Sequence, residues 1–385
     1  MSGIILSASV RQNLLSLQST ADLLATTQNR LSTGKKVNTA LDNPTNYFTA
    51  QGLDNRASDI SNLLDGIGNG VQVLQAANTG LTSLQKLVDT AKSIATQVLQ
   101  APAGYSPKSS TTSATTVGTA ANLVDGTNIA SGDTLTIAAT GGGTATSIIF
   151  GASESLDQLN AALAGNNVSA SLDSTGKLVF TTTNDAASAT LGAVGGTAAA
   201  FTGVAAAPAP VADAASQTIR ANLVSQYNNV IQQITTTAQD ASFNGINLLN
   251  GDDLKLTFNE TGKSILNIQG VTFDAAGLGL ASLVPGTDFL DSASANATIA
   301  KISSASNALR TEASTLGSNL SIVQIRQDFS KNLINVLQTG SANLTLADTN
   351  EEAANSQALA TRQSIAVSAL ALANQAQASV LQLLR

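Results

Sequence analysis

The chain has no cysteine, no histidine and no tryptophan. The missing cysteines exclude disulfides and thiolate metal sites, and the missing histidines exclude imidazole ligands and imidazole acid–base chemistry. Carboxylate pairs or a Ser–Lys dyad are the catalytic options that remain, and no spacing singles one out. The expectation is a protein that is not an enzyme and holds no cofactor and no metal. Charge is sparse as well: 11% of residues are charged and the net charge is −7, so no basic surface for nucleic acid or an anionic membrane is expected. Aromatic residues make up only 3% of a 385-residue chain whose hydrophobic content is 43%. Leu, Ile, Val and Ala must therefore do the packing. No run reaches the roughly 18 to 20 apolar residues of a membrane helix. The closest, Ile365–Leu384, is interrupted by Asn374, Gln375, Gln377 and Gln382. The opening "MSGIILSASVRQNLL" has no basic segment and only a short apolar run, so no cleaved secretory signal is expected.

Proline is also absent from two long stretches, between Pro44 and Pro102 and through the C-terminal hundred residues. Both carry apolar stripes at steps of three, four and seven. The first terminal stretch has Leu14, Leu17, Ala21, Leu24 and Leu31; a longer one runs from Leu53 to Val98. Toward the other end, Ile302, Ala305, Leu309, Leu316, Val323, Leu333 and Leu337 mark one helix, and "TGSANLTLADTN" reads as its break. A last helix begins near Glu351 and Glu352, where carboxylates suit the positive end of a helix dipole. It carries Ala358, Ile365, Ala369, Leu372, Ala376 and Leu383. The two ends mirror each other, which predicts pairing of the first helix with the last and of the second with the second-last. Gly66 and Gly70, in "DGIGNG", are expected on one helix face and suggest close approach of a neighbouring helix or subunit.

The middle differs. From Ala103 to about Pro210, Gly, Ala, Ser and Thr dominate. Strands are expected at Asp133–Ala138, Ser147–Phe150, Val168–Leu172 and Lys177–Thr183, the last two forming a hairpin around "DSTG". "SLDQLNAALAG" reads as a short helix closed by Gly165. A helix from Ser216 to Asp240 follows, with Ile219, Leu223, Tyr227, Ile231 and Ile234 on one face. "LKLTF" and "SILNI" then read as a second hairpin.

"RLSTGKKVNTALDNPTNYF", Arg30 to Phe48, interrupts the first two helices. Its "TGKK" is not a phosphate loop, because Asn29 stands where that pattern needs Gly and Lys36 where it needs Ser or Thr. Gly34 is a helix C-cap candidate, Asp42 or Asn43 an N-cap candidate, and Pro44 forbids one continuous helix. Asp252 and Asp253 lack the Glu that would complete a calcium loop.

"RLSTGKKVNTALDNP" and "LLDGIGNGVQVLQAANTGL" in the first hundred residues resemble bacterial flagellin. So do "SFNGINLLNG" (Ser242–Gly251), "LGSNLSIVQIRQDF" and the final "ALANQAQASVLQLLR". The resemblance covers 1–102 and 214–385. It implies a mainly α fold: a long antiparallel coiled coil or helical bundle built from both termini, with a β-hairpin and a small α/β insertion on the outside. The implied domains are an inner coiled coil (1–40 and 345–385), an outer helical layer with the hairpin (41–104 and 214–344) and a variable surface-exposed insertion (105–213). Gly34, Asp42, Asn43 and Pro44 would form the spoke between layers. The implied function is a subunit that is exported and polymerises into the flagellar filament for motility, outside the cell. Its partners would be other flagellin subunits, the flagellar export apparatus, a secretion chaperone, and filament cap and junction proteins, with no nucleic acid and no membrane insertion. The expected assembly interface is Leu14, Leu17, Leu24, Leu31, Ile365, Leu372 and Leu383. Rival readings are a hook–filament junction protein and a secreted surface-binding protein or adhesin.

Overall fold

A computed structural model describes residues 8–383. The fold is mainly α. Helix α1 (Ala8–Thr33) ends at Gly34, whose φ of +69° is the left-handed C-cap that glycine adopts without steric cost. Helix α2 (Pro44–Gln100) has Pro at its first position, where the missing N–H costs no hydrogen bond. Asn43 caps it, its Oδ1 accepting from the Asn46 N–H at 3.0 Å. Near the other end, α5 (Ser292–Thr345) is capped by Asp291, and α6 (Thr349–Leu383) by Asp348, whose Oδ1 accepts from the N–H groups of Asn350 and Glu351.

The break expected at "TGSANLTLADTN" is shorter than the sequence suggested. Helix α5 runs through Gly340 to Thr345, and only Leu346–Asp348 separate it from α6. A mid-helix glycine costs about 1 kcal/mol relative to Ala. Here the backbone stays helical with Leu337 and Ser341 buried on either side, and a Cβ at Gly340 would lie 3.4 Å from Leu53.

The chain forms two compact units. One takes in the chain up to Asn69, Leu256–Leu266 and the chain from Ile322; the other takes in Gly70–Lys255 and Asn267–Ser321. In the first, α1 packs on α6, and Leu53, Ala57 and Ile60 of α2 pack with Leu333, Ile334 and Leu337 of α5.

The second unit contains the insertion. Strands β1 (Ser110–Thr112), β4 (Val168–Leu172) and β5 (Leu178–Thr182) form one antiparallel sheet in the order β1-β5-β4. Strands β2 (Thr134–Ile137), β3 (Thr146–Ile149) and β6 (Val194–Gly196) form another in the order β3-β2-β6. Helix α3 (Leu156–Leu163) starts with a full capping box between Ser155 and Gln158. It does not close on Gly165 as expected. A 3-10 turn carries the chain on to Asn167, which takes the left-handed position with φ of 57°. Phe150, Phe180 and Phe201 fill the core, with ring centroids of Phe150 and Phe201 5.8 Å apart.

Helix α4 (Ala214–Asp240) buries Leu223, Tyr227, Ile231 and Ile234 as expected, but Ile219 is exposed. Arg220 takes the inward place instead. Its buried guanidinium donates to the carbonyls of Pro102 (2.9 Å) and Phe289 (2.7 Å). Burial pulls the pKa of Arg220 down, opposed by nearby Asp291. The second expected hairpin is present as β7 (Leu254–Thr257) and β8 (Ile265–Ile268).

Candidate functional site

The terminal helices α1 and α6 pair antiparallel. Asn13, Ser16 and Thr20 line one shallow depression with Arg362, Ile365 and Ala366, while Arg30, at the far end of α1, meets Glu352 in the first turn of α6. Burial recurs on α1 at Val10, Asn13, Leu17, Thr20, Leu24 and Thr27, and on α6 at Glu352, Ser356, Leu359, Gln363, Ala366, Leu370 and Ala373. These are alternating steps of three and four, the seam of a coiled coil.

The expected assembly residues divide across this seam. Leu17 and Leu24 are half-buried and face α6. Leu14 and Leu31 point outward, as do Ile365 (63% exposed) and Leu372 (70% exposed). The side chain of Leu383 lies outside the described residues. The apolar stripe read on α6 is therefore the outward one, displaced around the helix from the stripe that meets α1. Val367, Leu15 and Leu23 add to the outward apolar surface. The sequence reading missed the polar members of the seam, Thr20 and Thr27, and the Arg30–Glu352 pair. Asn13, Thr20 and Thr27 recur every seven residues, the signal that marks them.

The linker between α1 and α2 is tied to the one between α5 and α6. The N–H groups of Lys36 and Val37 both donate to the Thr345 carbonyl, and the Ala347 N–H donates to the Gly34 carbonyl at 3.0 Å. Asp42 is not the helix cap. Its Oδ2 accepts from the N–H groups of Asn38 and Thr39, both at 2.9 Å, and holds the loop closed. Backbone hydrogen bonds from Thr39 and then Asn38 lower its pKa.

Gly66 is exposed and a Cβ there would meet nothing of this chain within 4 Å, whereas Gly70 is buried. Among the described residues no helix approaches closely at Gly66. Close approach occurs instead at Gly80, where a Cβ would fall 2.6 Å from the Ala241 Cβ and 2.7 Å from Leu249 Cδ1.

Besides Arg30–Glu352, charged contacts are few among the described residues. Arg56 pairs with Glu260 at 2.8 Å, and the Arg326 guanidinium lies 5.5 Å from the centre of the Phe258 ring. Among the described residues no group of three or more acidic, His or Cys side chains is placed to hold a metal ion, and no helix is long and apolar enough to cross a membrane. The chemistry available to the terminal pair is apolar burial against another surface.

Residues 5–116 match the bacterial flagellin N-terminal helical region, and residues 299–384 match the bacterial flagellin C-terminal helical region. Together they take in just over half of the sequence. The chain belongs to the bacterial flagellin family. Among curated proteins it is similar to Flagellin FljM of Caulobacter vibrioides, with 33% identity over 165 residues, 42% of this chain and 59% of that protein. Flagellin FljK and Flagellin FljO of the same organism match over the same shares at 32% and 30% identity. The chain thus spans about three fifths of the length of these flagellins. The N-terminal match contains α1, the linker after it and α2, and the C-terminal match contains α6 and nearly all of α5. Most of the insertion lies between them.

Proposed function

We propose that the chain is a structural subunit that polymerises with other flagellin subunits into the bacterial flagellar filament, outside the cell, and serves swimming motility. The observation that carries this reading is the two-sided apolar character of the terminal pair. Its seam is satisfied within the chain, yet Leu14, Leu31, Ile365 and Leu372 remain in water. A helix apolar on both faces belongs in an environment that covers both. A repeated, non-closing contact between copies covers the second face and grows a filament.

In this reading 1–40 and 345–385 form the inner layer, 41–104 and 214–344 the surrounding layer, and 105–213 the outer surface. Gly34, Asp42, Asn43 and Pro44 form the spoke. Gly66, open on its own chain, and Gly70 would serve packing against a neighbouring copy. Export through the flagellar apparatus with a secretion chaperone, and contact with cap and junction proteins, are part of the same proposal. No enzymatic role is part of it.

Seeded growth tests it. Purified chain mixed with short filament fragments should lengthen them into tubular filaments, seen by sedimentation and electron microscopy. Competent seeds that fail to grow would overturn the bulk-subunit reading and favour a junction protein. Monomer that binds a glycan-bearing surface without assembling would favour an adhesin.

A further inference from the structure

The seam positions of the terminal helix pair recur every seven residues, and that spacing by itself does not fix the register. On α1, Val10, Leu17 and Leu24 occupy one class of seam position and Asn13, Thr20 and Thr27 the other. On α6, Ser356, Gln363 and Leu370 alternate with Leu359, Ala366 and Ala373. Sliding one helix past the other by one heptad, about 10 Å, sets like classes against like. Small side chains such as Ala366 and Ala373 offer little steric resistance to such a slide.

Arg30 and Glu352 break the repetition. Arg30 Nη1 lies 3.1 Å from Glu352 Oε1, and the Glu352 side chain is only 10% exposed. Theirs is the only ion pair between α1 and α6 among the described residues. A slide of one heptad sets Glu352 beside Leu23, at the outward edge of the seam, or Arg30, whose side chain is 39% exposed, beside Leu359. Either leaves a charge against an apolar neighbour without its partner, which is strongly unfavourable for a buried carboxylate. The other charged residues of α1, Arg11 and Asp22, are exposed, as are Glu351 and Arg362 on α6, so none stands on the seam as a substitute partner. A single polar or ionic contact that fixes register in an otherwise degenerate coiled coil is the best-attested use of such groups.

We propose that the Arg30–Glu352 pair is the register lock of the terminal helices. It selects which heptad of α1 faces which heptad of α6. It thereby sets the pattern of Leu14, Leu31, Ile365 and Leu372 offered to neighbouring copies; this second step rests on the filament reading. The competing device is the backbone pairing of Gly34, Lys36 and Val37 with Thr345 and Ala347, which ties the same end of the pair.

The absence of native cysteine permits a direct test. Thr20→Cys is combined in the full-length chain with Ala366→Cys (in register), Leu359→Cys or Ala373→Cys (one heptad out in either direction). Each is treated with a thiol cross-linker shorter than one heptad, in solution and in the seeded pellet. With Arg30 and Glu352 intact, the Thr20–Ala366 product should dominate. In Glu352→Arg its share should fall at least tenfold, less than for a fully buried pair because the Arg30 side chain is 39% exposed, with the shifted products rising. The exchanged variant Arg30→Glu/Glu352→Arg should recover more than either single change, though less than fully because both charges then oppose the helix dipoles. Seeded growth should follow the cross-link pattern. An unchanged pattern in Glu352→Arg would overturn the lock and assign register to the backbone ties. Loss of all products in the single and exchanged variants alike, or their absence from the parent chain in both fractions, would also overturn it. In-register products without seed growth would leave the lock standing and remove the filament reading.

Discussion

The insertion and the terminal helix pair meet the same need, burying apolar surface, in opposite ways. The insertion buries Phe150, Phe180, Phe201, Leu123 and Ile129 completely within its own fold. The terminal pair keeps half-buried residues on its seam and leaves Leu372 and Ile365 largely in water. A region that closes its own core is complete as a monomer. On the filament reading proposed above, a region that cannot do so is completed by another copy. Helices draw most of their stability from packing an apolar face rather than from propensity, so a pair with a partly polar seam gains most from a further surface that covers its outward face.

Substitutions sharpen this contrast. The largest effect is expected for Leu372→Asp, which places a charge on the outward face. Seeded growth should be abolished while circular dichroism and thermal unfolding of the second unit stay unchanged. Leu24→Asp should also stop growth, but through the seam, and should reduce α1–α6 pairing in the soluble chain. Next comes Phe180→Ala in the insertion core, expected to cost about 3 to 5 kcal/mol of that core's stability. Denaturant unfolding measures it, and seed growth at low temperature should persist.

Two glycines separate contacts within the chain from contacts between copies. Gly80→Ala should destabilise by about 1 to 3 kcal/mol, because its Cβ would fall on Ala241 and Leu249. Gly66→Ala, in open space on a helix, should stabilise the monomer by up to about 1 kcal/mol. If Gly66 serves packing between copies, the same change should slow growth even as the melting temperature rises.

The smallest effect concerns Asp125. Desolvation pushes its carboxyl up, but hydrogen bonds from Ile129, Thr127 and Asn128 outweigh this and bring it down to about 2. An unfolded Asp titrates near about 3.9. The stabilisation is therefore present above about pH 4 and lost as pH falls through about 2. Thermal unfolding of the insertion should show a slope in that window that Asp125→Ala flattens.

The long helices were legible because their apolar steps, Pro44 and Gly34 are local signals. Strands β4 and β5 were legible from alternation around Asp173–Gly176. Strand β6 was not: "VGG" has no alternation, and it exists because Val194–Gly196 pair with β2 across a long sequence separation. Gly196 admits that approach, since a Cβ there would fall 2.0 Å from the Thr134 carbonyl oxygen. The candidate site was half legible. Helix α6 carries one series at steps of three, four and seven through Leu359, Ala366, Leu370 and Ala373 and another through Ala358, Ile365, Ala369, Leu372 and Ala376. Periodicity finds both series and offers no reason to assign either to α1. Glu352 resolves the choice, because its pairing with Arg30 faces the first series inward.

The central claim is that the outward apolar face is covered only by other copies. Leu372→Cys supplies a single thiol in a chain that otherwise has none. Its rate of reaction with a small maleimide would be measured on soluble chain and on seeded filaments. Fast reaction in solution and strong protection in the filament are predicted. Equal reactivity in both states would contradict the account.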